Sequence, residues 1–155
     1  MVRLRRSRHL LSITQAACGN EPGRFSLVVA RSSVSGLIDT LMGRHGSVTR
    51  DLGGVELDAL RETANIVAGS CLSMLGGPLG LSTMPSAAAI SEGSLEEVVY
   101  TFLPQPGSLC VETRLRTRSH RLELILLMAV ARSNGALSKI GDPVAVTNES
   151  AIARS

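Results

Sequence analysis

Asp58-Ala-Leu-Arg-Glu62-Thr-Ala-Asn65-Ile-Val-Ala-Gly69 reads as a helix carrying one chemically loaded stripe. Successive helical residues turn by about 100°, so positions three and four apart share a face. Asp58, Glu62, Asn65 and Gly69 therefore fall into a single narrow row. Leu57, Leu60, Ala64, Val67, Cys71, Met74 and Leu75 lie on the opposite side, which the pattern predicts to dock on a core. The apolar side accounts for the helix. The stripe needs a separate reason, and a carboxylate beside a carboxamide, with a small residue beyond them, suits close approach by an ionic partner.

Outward from this helix the chain reads as mixed α and β. Residues 9–17 form an expected strand, and the turn-rich 18–23 lead to a second strand over 24–30, rich in β-branched residues. Ser32 or Ser33 offers an N-cap for a helix reaching Met42, where Gly43 stops it, and Val34, Leu37, Ile38 and Leu41 supply its apolar stripe. A polar linker over 44–54 precedes the long helix from Val55 to Leu75, which Gly76-Gly-Pro-Leu-Gly80 is predicted to end. Residues 81–90 read as a small-residue strand in which Pro85 predicts an edge position or a bulge. Residues 97–103 read as another strand, ended by Pro104-Gln-Pro-Gly107. Leu109, Val111, Thr113 and Leu115 alternate with Cys110, Glu112, Arg114 and Arg116, and an apolar strand returns over 121–130 after Arg118-Ser-His120. The expected organisation is a basic tail over 1–8, one folded domain over 9–131 and a polar, partly disordered tail over 132–155.

Composition narrows the function classes. The chain has 155 residues and a net charge of +3, with no Trp, one Tyr and two Phe. Without aromatic platforms for stacking bases, single-stranded nucleic acid is not an expected partner. Arg3, Arg5, Arg6 and Arg8 read as a solvated tail, and Arg114, Arg116, Arg118 and Arg121 as a solvated edge hairpin. The start faintly resembles an export signal, but Leu10-Leu-Ser-Ile13 is too short an apolar core. No membrane span is expected, and the cytoplasm is the expected location. Cys18, Cys71 and Cys110 form no metal-like pair and read as buried free thiols. His9, His45 and His120 sit in unrelated segments, so no metal site is expected.

The segment Asp58 to Pro85 resembles the active-site helix and following strand of the CheC and CheX chemotaxis phosphatases. That family carries an acidic residue or Ser, then Glu and Asn at a fixed spacing, with a proline about a helix length later. The matching positions here are Asp58, Glu62, Asn65 and Pro85. Residues 25–43 resemble the family's strand and helix ahead of the motif, and 110–128 its closing hairpin. CheC carries two such motifs. This chain has room for one, and is similar to the later half of a CheC.

The resemblance implies an α+β, CheC-like domain with a mostly antiparallel sheet packed by two main helices. It implies a phosphatase acting on the aspartyl phosphate of a CheY-like response regulator. Asn65 would position the attacking water and Glu62 would clamp the regulator's lysine, with no cofactor of the chain's own and a divalent metal such as Mg2+ expected in the receiver. A homodimer is expected to restore the missing half, and a CheD-like deamidase is a further implied partner. Asp58 is explained as well by favourable charge at a helix start as by catalysis. The alternative function is a non-catalytic adaptor or flagellar-switch-like module that binds the phosphorylated receiver.

Overall fold

The computed structural model describes residues 9–20, 22–44, 51–79, 82–102, 109–116 and 122–130. Along the chain these form β1 (Leu10–Gly19), β2 (Gly23–Ala30), α1 (Arg31–Leu41), α2 (Gly54–Leu79), β3 (Thr83–Pro85), β4 (Ala89–Gly93), α3 (Leu95–Phe102), β5 (Leu109–Arg116) and β6 (Glu123–Val130). The expected tails, 1–8 and 132–155, and the hairpin turn at 118–120 lie outside the described residues. The strands make one six-stranded sheet in the order β3-β1-β2-β6-β5, with β4 also paired to β1. Every pairing is antiparallel, so the α+β class expected from the sequence is the class observed.

Strand alternation sorts the side chains into two layers. Leu11 and Ile13 of β1 and Leu27 and Val29 of β2 face α1 and α2, packing with Val34, Leu37, Ile38, Leu60 and Ala64. Farther along the same face, Ala17, Phe25, Met128 and Val130 meet Ala68 and Leu72 of α2. Leu10, Val28, Ile125, Leu127 and Ala129 point the other way, where Val98 and Phe102 of α3 cover them. Each fully buried Leu or Ile contributes about 1.5–3 kcal/mol over its exposed state. Aliphatic residues thus build the core that the aromatic-poor composition demanded.

Four elements differ from the sequence reading. The N-cap of α1 is Ala30, with no side-chain cap, rather than Ser32 or Ser33. The strand runs straight into the helix, and the Arg31 amide donates to the carbonyl of His9, the residue before β1, at 3.1 Å, so a backbone oxygen does the work of a capping hydroxyl. At the other end Gly43 stops α1 as expected. With φ at 63° it takes the left-handed conformation, and the bonds Gly43 N–H to Thr40 O (3.3 Å) and Arg44 N–H to Asp39 O (2.8 Å) close a Schellman motif.

The long helix α2 does not stop at Gly76. It continues through Gly77 and Pro78 to Leu79. Pro78 withdraws one helical donor, the one facing the Met74 carbonyl. Met74 is 77% exposed, so water can satisfy that carbonyl and the last turn survives.

The predicted strand over 97–103 is the helix α3. Its β-branched composition favoured a strand, but Ser94 and Glu97 form a capping box. The Ser94 amide donates to Glu97 Oε2 at 2.6 Å, and the Glu97 amide donates to Ser94 Oγ at 3.3 Å. Val98 and Phe102, four apart, then bury against the sheet.

The expected strand over 81–90 is split into β3 and β4, both on β1. Ala17 pairs with Pro85 and Thr14 with Ala89, so the edge carries one residue more than β1 over the same span. That extra residue is a bulge beside the proline, as Pro85 predicted. Its Ser86 amide donates to the Ala16 carbonyl (2.8 Å), and the Ala16 amide returns a bond to Ser86 Oγ (3.0 Å).

Candidate functional site

A helix as long as α2 must choose which face to bury, and its apolar residues choose Leu60, Ala64, Ala68 and Leu72, spaced four apart. Cys71 and Leu75 pack partly against the same cluster. The stripe of Glu62, Asn65 and Gly69 therefore lies on the flank of the helix rather than opposite the core. Met74, assigned to the buried side from its spacing, is exposed on the other flank, while Ile66 is 60% exposed beside the stripe.

The structure separates the four residues of the stripe. Asp58 pairs with Arg61, one turn along, at 2.8 Å with its carboxylate largely in water. This is a surface ion pair, worth little to stability, and it takes Asp58 out of the candidate site. Glu62 is exposed and, among the described residues, has no hydrogen-bond or ion-pair partner. Asn65 is half-buried, one residue past the buried Ala64, where the helix flank turns toward the sheet. Gly69 leaves open space, since a Cβ there would meet nothing within 4 Å.

Asn65 has a partner that the motif did not reveal. Gln15 of β1 is 2% exposed, and its Nε2 donates to Asn65 Oδ1. The same nitrogen donates to the Ser86 carbonyl at 3.1 Å. The signal for Gln15 was present in the sequence: in the inward file Leu11, Ile13, Gln15, Ala17, one amide interrupts an apolar row. Only pairing across two other elements shows why it is there.

Beyond Gly69 the stripe opens into a cleft of about 790 Å3 between α2 and β3, lined by Leu72, Ser73, Gly76 and Gly77 on one wall and Thr83 and Pro85 on the other. Met84, 75% exposed, stands at its rim. Small residues on the helix keep this surface low, and the exposed Ile66 and Met84 give it apolar contact points.

Other candidate groups resolve simply. All three thiols are free, but Cys18 and Cys110 are exposed and Cys71 is half-buried, so the expectation of buried thiols is corrected. Cys18 lies near the end of β1, at the rim of the cleft between α2 and β3, and Cys110 on β5, at the end of the described sheet order. Partial burial still pushes the Cys71 thiol up from its ordinary value. Arg114 pairs with Glu112 (2.7 Å) and Arg116 with Glu123 (3.2 Å), a solvated ladder on the β5–β6 hairpin. Among the described residues no group of three or more His, Cys, Asp or Glu side chains could hold a metal ion. Among them, no helix is long and apolar enough to cross a membrane.

With the sheet order, the helix placement and the site in hand, the fold is of the CheC/CheX type. The chain is similar to the CheX of the CheX–CheY–BeF3–Mg2+ complex from Borrelia burgdorferi, with 12% identity, a TM-score of 0.57 and coverage of 79% of this chain and 76% of that one. CheX from Desulfovibrio desulfuricans matches at 14% identity and a TM-score of 0.58, over 77% and 73% of the two chains. Thermotoga maritima FliY matches at 19% identity and a TM-score of 0.60, over 84% and 68%. No protein-family model matches the chain, and no curated protein matches it in sequence.

Proposed function

We propose that this chain binds a phosphorylated CheY-like receiver and hydrolyses its aspartyl phosphate. The observation that carries the reading is the placement, on one open flank of α2, of a Glu62 carboxylate that has no partner among the described residues beside the Asn65 carboxamide. The B. burgdorferi CheX of the same fold is found in a complex with CheY, which supports a receiver as the partner here.

The chemistry asks little of the helper protein. An acyl phosphate is already reactive, and phosphoryl transfer depends chiefly on positioning and charge stabilisation. Water attacks phosphorus, the bond from phosphorus to the aspartyl oxygen breaks, and the products are inorganic phosphate and a free carboxylate. Asn65 offers amide hydrogens and an oxygen lone pair, enough to hold that water in line. Glu62 supplies a carboxylate for the receiver's lysine and so fixes the docking register. Ile66 and Met84 add apolar contact around them. The reaction's divalent metal belongs, in this reading, to the receiver. A homodimer completes the proposal.

The test is phosphate release from phosphorylated receivers. Wild-type protein is expected to accelerate it. Asn65→Ala should cost at least about 100-fold while leaving receiver binding largely intact, and Glu62→Ala should weaken both. Unchanged turnover in Asn65→Ala removes that residue from the mechanism. Phosphorylation-dependent binding without acceleration makes the protein a receiver-reading adaptor.

A further inference from the structure

We infer that Gln15 is a positioning residue for Asn65, through which the β3–β4 bulge dictates the direction in which the Asn65 carboxamide faces. The inference rests on the proposed role of Asn65 and extends it to the residue that prepares it.

A carboxamide is ambiguous by nature: its oxygen and nitrogen are nearly the same size, and a half-turn about the last side-chain bond exchanges an acceptor for a donor. At the flank of α2 this ambiguity is removed by a chain of two bonds. The Ser86 carbonyl can only accept. The Gln15 amide beside it must therefore present nitrogen, and Nε2 donates to that carbonyl at 3.1 Å. The second hydrogen of the same nitrogen points at Asn65, which must answer with an acceptor, and Asn65 Oδ1 receives it. Asn65 is thereby held with its oxygen inward and its nitrogen outward.

Burial makes the arrangement firm. Gln15 is 2% exposed among apolar neighbours, where an unpaired amide hydrogen is costly, so water cannot substitute for either acceptor cheaply. Ser86 is itself pinned to β1 by the two bonds it shares with Ala16. The extra residue of the bulge is what carries its carbonyl to Gln15. Donation into Oδ1 also polarises the Asn65 amide and strengthens its outward N–H groups as donors, while a second lone pair on Oδ1 stays available. The group proposed to align water is oriented before any partner arrives.

Gln15→Met tests this, because it keeps the length of the side chain and removes both donors. At saturating phosphorylated receiver, kcat is expected to fall by roughly 10- to 100-fold, with Kd for the receiver changed less than about twofold. In an Asn65→Ala background the same substitution should cause no further loss. In the free protein, the Asn65 side-chain NH2 resonances, assigned by their absence from Asn65→Ala, should shift and exchange faster in Gln15→Met. Wild-type kcat together with unshifted Asn65 resonances overturns the inference. So does an equal loss of kcat in the Asn65→Ala background, which marks a general effect on folding. If wild-type protein releases no phosphate, the phosphatase reading fails, and the resonances alone decide whether Gln15 sets the amide: a shift upholds it and no shift overturns it.

Discussion

Residues on one helix stripe met different fates because their neighbours in space differ. Asp58 found Arg61 on its own helix, Asn65 found Gln15 on a strand, and Glu62 found nothing among the described residues. Spacing had grouped them, and spacing alone contains no information about those partners. Gly69 shows how function and stability can pull against each other at one position. A methyl group there meets no atom within 4 Å, so Gly69→Ala should stabilise α2 by roughly 0.5–1 kcal/mol through helix propensity. The same methyl group stands where the proposed partner must approach. Gly69→Ala is therefore expected to raise Tm while slowing receiver dephosphorylation by about tenfold or more. A higher Tm with undiminished turnover would show that the stripe is not approached that closely.

At the scale of elements, local chemistry won wherever it was complete. The capping box at Ser94 and Glu97 turned a β-branched segment into α3, and reading it would have required setting capping against propensity. Ser94→Ala should cost about 0.5–2 kcal/mol, measured by urea unfolding. Hydrogen bonds from the Ser94 amide and then its hydroxyl hold the Glu97 carboxyl below its ordinary pKa. A depressed folded value means that this contribution is full above the unfolded carboxylate's pKa, about 4.3, and is lost as pH falls through the lower folded value. The stability gap between wild type and Glu97→Gln should accordingly be widest at neutral pH and narrow in acid. A gap independent of pH would separate Glu97's charge from the cap. The edge strand behaved differently: Pro85 pointed to an edge position or a bulge, and the split of the expected single strand into β3 and β4 shows both.

Among the described residues the molecule is a sheet with α1 and α2 on one face and α3 on the other, and its last strand, β5, has a single pairing neighbour. Val111 and Leu115 on β5 are 38% and 46% exposed. A free edge with apolar side chains favours a second copy. Light scattering at micromolar concentration is expected to report a dimer, and a monodisperse monomer would count against it. The strands β1, β2, β5 and β6, the helices α1 and α2 and the shared helix face of Glu62 and Asn65 are legible in the order of residues alone, because period and punctuation are properties of neighbouring residues. The rest came from packing. It brought the His9 carbonyl to the first amide of α1, turned the stripe to the flank of the core, left Cys18 and Cys110 exposed, and joined Gln15 to Asn65 and the Ser86 carbonyl. Each of these depends on groups far apart in sequence that meet only after the sheet has formed, so no local pattern could contain them.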